Sequence, residues 1–205
     1  MWNSFNTGEP LGITAEITTI EGGNGDQIHA YVARPAGDER RGGIVAIHHM
    51  PGWDEFYMEF CERLARHGYD VIAPDLYCRF GHGTPDDVTA TVRSQGGVHD
   101  DSVVADCQAA MTWLKALPTS NGRVGIIGSC SGGRHAVLTA SLVPGFDAVV
   151  DLWAAGWSWH PTSCRRPARW HRSTTRRSSR PRSSASSATT TSHPRRSRST
   201  CTRRS

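Results

Sequence analysis

The chain has 205 residues, 37% of them hydrophobic, and a formal net charge of +4. That average conceals two unlike parts: residues 1–157 hold all 19 acidic residues and only ten basic ones, whereas residues 158–205 hold 13 Arg and no acid. The opening Met1-Trp2-Asn3-Ser4-Phe5 lacks a basic stretch and an apolar core, no apolar run approaches the roughly 20 residues of a membrane span, and the six Cys have no framework spacing, so a reduced, cytoplasmic protein with no membrane partner is expected.

Ile13 to Ile20 alternates as a strand does, Glu21 to Asp26 reads as a turn, and Gln27 to Arg34 reads as the hairpin partner. After a polar loop from Pro35 to Arg41, Gly43 to Ile47 is a short buried strand that runs into His48-His49-Met50-Pro51-Gly52. The periodicity of Glu55 to His67 predicts a helix with Phe56, Phe60, Leu64 and Ala65 on its apolar face and Gly68 as its stop. Tyr69 to Ala73 is the next strand, closed by Pro74-Asp75-Leu76-Tyr77. Asp101 to Leu117 predicts a helix that offers Val104, Ala105, Ala109, Met111 and Leu114 to the core, with Pro118 beyond its end. Val124 to Ile127 and Phe146 to Leu152 complete the strands.

The sequence between those last two strands carries the chemistry. Gly128-Ser129-Cys130-Ser131-Gly132-Gly133 follows the apolar Val124-Gly125-Ile126-Ile127 and precedes the helix-like Arg134 to Ala140. Strand, Gly-X-nucleophile-X-Gly, helix is a nucleophile elbow, here with Cys where Ser is common. The turn leaves no room for side chains beside the nucleophile, so glycine flanks it. The N-terminus of the following helix stabilises negative charge nearby. A buried structural Cys beside a glycine turn is the plainer alternative.

Strands alternating with helices imply an α/β fold of the α/β-hydrolase type, with a mainly parallel sheet and helices on both faces, incomplete at the C-terminus. Ligands then gather at the carboxyl ends of the strands. Cys130, the His49 loop and the segment from Pro74 to Arg79 all fall at such ends.

With those loops placed, roughly residues 9–155 resemble the dienelactone hydrolase family, through Gly43 to Gly52, His67-Gly68-Tyr69 with Val71 to Leu76, Tyr77-Cys78-Arg79, and Gly125 to Gly133. The resemblance implies a hydrolase that cleaves a small-molecule ester or lactone, without a cofactor and without a metal. It implies Cys130 as the nucleophile and the backbone N–H groups of Ser131 and Met50 as an oxyanion hole. It implies Arg79 as the group that holds a substrate carboxylate. His49 stands on the substrate side, near a position where the prototype has a glutamate that meets the resting Cys. There it either activates the thiol or hydrogen-bonds locally. The adjacent His48-His49 pair is poor metal spacing, because neighbouring strand residues point to opposite faces.

The family completes its triad with an Asp and a His beyond the elbow, yet no acid follows Asp151 in this chain. Residues 158–205 contain no Val, Ile, Leu, Met, Phe, Tyr or Gly, and such a stretch is expected to be a disordered Arg/Ser/Thr-rich tail. A tail of that composition is what a GC-rich gene yields out of frame. Read one base earlier, TCN serine codons become codons for Leu, Ile, Val or Phe, and threonine codons become codons for Asp, Asn, His or Tyr. Ser183 to Thr191 then hides an apolar strand that runs into an acidic turn. The expectation is therefore a partial hydrolase domain over residues 1–157, a frame shift near Ala155–Trp157, and a chain that is inactive by itself. The alternative is a non-catalytic, hydrolase-like binding module whose basic arm binds nucleic acid through phosphates. The Arg residues form no regular Arg-Ser repeats and residues 1–157 show no nucleic-acid motif, which makes nucleic acid the lesser expectation.

Overall fold

The computed structural model describes residues 12–23 and 25–154. The expectations made for the Arg-rich tail, its frame and its nucleic-acid binding lie outside the described residues.

Six strands form a mixed sheet. β1 (Ile13–Glu21) and β2 (Gln27–Pro35) make the expected antiparallel hairpin. β2 pairs antiparallel with β4 (Asp70–Pro74), which pairs in parallel with β3 (Arg41–Ile47). β3 pairs in parallel with β5 (Ser120–Ser129), and β5 with β6 (Ala148–Leu152), giving the order β1-β2-β4-β3-β5-β6. The parallel block β4-β3-β5-β6 therefore turns its carboxyl ends to one side, as the sequence reading requires.

α1 (Glu55–Arg66) covers one face of the sheet. Its N-cap Asp54 accepts from the Tyr57 N–H at 2.9 Å, and Gly68, at φ 94°, ends the turn that follows it. The buried stripe is Tyr57, Cys61 and Ala65, whereas Phe56 is 52% exposed, so the expected face is rotated by about one residue. Phe56 and Phe60 flank the stripe instead and turn toward the β6 end of the sheet.

α3 (Asp100–Ala116) and α4 (Ser131–Leu142) cover the other face. The stripe of α3 is Val103, Cys107, Ala110, Met111 and Leu114, with Asp106 buried among them. Val104, Ala105 and Ala109 lie beside it rather than in it. α2 (Pro85–Ser94) was absent from the sequence reading, although Thr84 as N-cap, Pro85 at the first position and Asp86-Asp87 in the first turn spell a helix start. α2 caps the strand-end loops: its buried Thr89 donates from Oγ1 to the Met50 and Pro51 carbonyls, at 3.2 and 3.1 Å.

Candidate active site

The elbow is built as the sequence implies. Cys130 sits between β5 and α4 at φ 53°, ψ −120°, a left-handed conformation that an L-residue adopts only under constraint. The constraint is close packing of backbone. A Cβ on Gly128 would collide with the backbone of Gly132 and Gly133, one on Gly132 with the Ile47 and His48 carbonyls, and one on Gly133 with the Asp151 carboxylate. The Cys130 N–H is held by the Leu152 carbonyl at 3.1 Å, which ties the elbow to β6.

Two tyrosines bind the elbow region to its neighbours. The buried Tyr57 hydroxyl donates to the Ile47 carbonyl and accepts from the Ser129 N–H at 3.2 Å, so one side chain of α1 joins the ends of β3 and β5. Burial pushes its phenol up to about 12, which keeps it a neutral donor. The Tyr77 hydroxyl donates to the Met50 carbonyl at 2.9 Å, and its ring stands edge-on to His48 with centroids 4.6 Å apart. Tyr57 was not singled out from the sequence, and Tyr77 entered only as part of Tyr77-Cys78-Arg79 without a role of its own, because aromatic residues near a strand end carry no distinguishing spacing.

The two adjacent histidines do diverge. His48 is buried: its Nδ1 lies 2.9 Å from the His49 carbonyl, and its Nε2 accepts from the Leu76 N–H at 3.2 Å. His49 turns the other way, toward α1, where its Nε2 meets the Asp54 carboxylate at 2.7 Å and its ring stacks on Phe56. Among the described residues no hydrogen bond or ion pair reaches the Cys130 thiol, from His49 or from any other side chain. His135, on the second turn of α4, is pushed down to about 4 by burial and by its neighbour Arg134.

Arg79 is brought to a different group of residues. Its guanidinium donates to both oxygens of Asp106, at 2.7 and 2.9 Å, and to both oxygens of Asp26, at 2.7 and 3.0 Å. It borders a recess of about 240 Å³ with Phe80, Gln95 and Ser102, a lining that does not include Cys130. A larger groove, of about 530 Å³, opens on the α1 side of the sheet between Phe56, Tyr57, Phe60, Ser129, Leu152 and Trp153. No group of three or more His, Cys, Asp or Glu able to hold a metal exists among the described residues, and no helix there is long and apolar enough to cross a membrane.

A mainly parallel α/β sheet with a strained, glycine-flanked turn between strand and helix defines an α/β-hydrolase fold. The profile of the Dienelactone hydrolase family matches residues 28–176, and the chain belongs to that family. A provisionally named carboxymethylenebutenolidase of Salmonella typhi is 35% identical over 143 residues, which cover 67% of this chain and 52% of that protein. The carboxymethylenebutenolidase of Pseudomonas putida is 32% identical over 132 residues, covering 62% of this chain and 56% of that one. A solved structure, a provisionally assigned dienelactone hydrolase of Klebsiella pneumoniae subsp. pneumoniae, matches with a TM-score of 0.59 and 31% identity, over 67% of this chain and 58% of that chain. The chain spans about half the length of the curated relatives it matches.

Proposed function

We propose that this chain carries the nucleophile-bearing part of a hydrolase acting on small-molecule esters or lactones, with Cys130 as its nucleophile. The observation that supports this most directly is the conformation of Cys130, a positive-φ, non-glycine residue on a tight turn whose flanking glycines leave space for nothing larger. Strain of this kind persists where the surrounding structure holds it, and it holds one side chain clear of the sheet.

The chemistry assigned to it is acyl transfer. The thiol gives up its proton, sulfur bonds to the carbonyl carbon, and the carbonyl π pair moves to oxygen. Collapse of that oxyanion expels the alkoxide, which takes a proton, and water then cleaves the thioester. The Ser131 and Met50 N–H groups are the assigned oxyanion donors. Arg79 is not assigned a substrate carboxylate, because its donors already face two carboxylates. Turnover by this chain alone is expected to be slow, because no described side chain hydrogen-bonds the thiol to take its proton.

Nitrophenyl acetate hydrolysis tests the reading. The chain should turn over slowly, and the rate above background should vanish in Cys130→Ala. An unchanged rate in that variant would remove Cys130 from the reaction. Fast turnover that is lost in His49→Ala would instead make the His49–Asp54 pair the base.

A further inference from the structure

The loop between β3 and α1 holds one peptide plane by two hydrogen bonds to its carbonyl. The His49 carbonyl accepts from the Gly52 N–H at 2.9 Å and lies 2.9 Å from His48 Nδ1. His48 Nε2 accepts from the Leu76 N–H, so that nitrogen carries the lone pair, and the proton of the neutral ring is on Nδ1. His48 therefore has one workable tautomer, and it donates to His49. Burial depresses the imidazole's affinity for a second proton, which keeps it in that form.

The carbonyl of His49 and the N–H of Met50 belong to the same planar trans peptide unit and point in opposite directions. Fixing the carbonyl fixes the direction of the N–H. The next plane is fixed too, since the Met50 carbonyl accepts from Tyr77 at 2.9 Å and from Thr89 at 3.2 Å. Both planes that meet at the Met50 Cα are thus restrained, yet the Met50 N–H itself meets no acceptor among the described residues. The close approach of Gly132 to the Ile47 and His48 carbonyls sets this loop against the first turn of α4, where the Ser131 N–H is free of intrahelical partners.

We propose that His48 is a positioning residue for acyl transfer at Cys130: by locking the His49–Met50 peptide plane, it preorganises the Met50 N–H to receive the oxyanion. The proposal rests on the oxyanion-hole assignment made above. It gives a buried, fully hydrogen-bonded histidine a role that acts through backbone rather than through proton transfer.

The test separates an oxyanion effect from a general effect on the thiol. Cys130 in the full chain is acylated with nitrophenyl acetate and, separately, alkylated with iodoacetamide. Both rates are read at the Cys130 peptide by mass spectrometry and divided by the rates for a short Gly-Ser-Cys-Ser-Gly peptide at the same pH. Acylation develops charge on oxygen, whereas alkylation does not, so the ratio of the two reports the hole. His48→Gln retains an acceptor for the Leu76 N–H but carries its amide too far out to reach the His49 carbonyl. His48→Asn places an amide N–H where Nδ1 was and gives up Leu76. The ratio should fall about tenfold in His48→Gln and stay close to the parent value in His48→Asn. Thermal melts of both variants report any loss of stability separately. An unchanged ratio in His48→Gln, or an equal fall in both variants, would overturn the proposal while leaving the oxyanion hole intact. A parent ratio no higher than that of the peptide would overturn the oxyanion-hole assignment, and this proposal with it.

Discussion

Arg79 and Asp106 are joined by two hydrogen bonds, Nη1 to Oδ2 at 2.7 Å and Nη2 to Oδ1 at 2.9 Å, with Asp106 only 1% exposed in the middle of α3. The same carboxylate accepts from the Gly23 N–H at 3.1 Å, so the pair ties the hairpin turn, the 3₁₀ turn Cys78–Phe80 and α3 together. Removing the guanidinium strands a buried carboxylate. Arg79→Met should therefore cost roughly 3–5 kcal/mol in urea denaturation. A variant that keeps full stability but loses preference for carboxylate-bearing esters would return Arg79 to the substrate.

The Tyr57 hydroxyl is a second structural knot. Tyr57→Phe removes the hydroxyl that meets the Ile47 carbonyl and the Ser129 N–H in a buried site, and the expected loss is roughly 1–3 kcal/mol. Because Ser129 adjoins Cys130, the Cys130 alkylation rate should shift as well. Phe56→Ser, one residue away and half exposed, should alter stability by less than about 0.5 kcal/mol.

These two residues mark where the sequence was legible and where it was not. The strands and every helix but α2 followed from hydrophobic period, and the elbow followed from glycine spacing, because each is a local rule. The register of the helix faces was missed by about one residue. In α1, Tyr57 carries a polar atom that is satisfied only across the sheet by Ile47 and Ser129, so apolar periodicity favoured Phe56. In α3, Asp106 reads as a solvent-facing residue until Arg79 and Gly23, distant in sequence, are placed beside it. The partners of His48 were unreadable for the same reason: Leu76 lies 28 residues away and contributes only its backbone.

Stability should fall with acid earlier than carboxylate titration alone implies. Buried His135 is depressed from 6.5 to about 4, and His48 shifts in the same direction. Between those values the unfolded chain binds more protons than the native one, so stability is complete above about pH 6.5 and declines as pH falls toward 4. His135 alone accounts for of order 3 kcal/mol across that window. Urea denaturation between pH 7 and pH 4.5 should show the slope, and His135→Gln should flatten it. The Asp26 and Asp100 carboxyls, held below their usual range by Arg79 and Arg134, add losses only in stronger acid.

The β6 edge leaves apolar surface open, with Val149 at 43%, Val150 at 42% and Trp153 at 72% exposure beside the groove of Phe56 and Phe60. The chain should bind an apolar dye such as ANS in its native state. A gene with one base restored near the codons for Ala155–Trp157 should open a continuous frame rich in Val and Leu, and its product should lose that dye binding. A gene with no such frame would leave the basic arm as the reading of the tail.

The backbone of Cys130 has a consequence for what selection can change at this site. At φ 53° a Cβ is a liability, and holding it there costs of order 1–3 kcal/mol. Glycine relieves that strain, so Cys130→Gly should melt at a higher temperature than the parent while losing every thiol reaction at the elbow. Robustness and reactivity are thus opposed at a single atom, and a lineage released from catalysis would be free to drift toward the more stable residue.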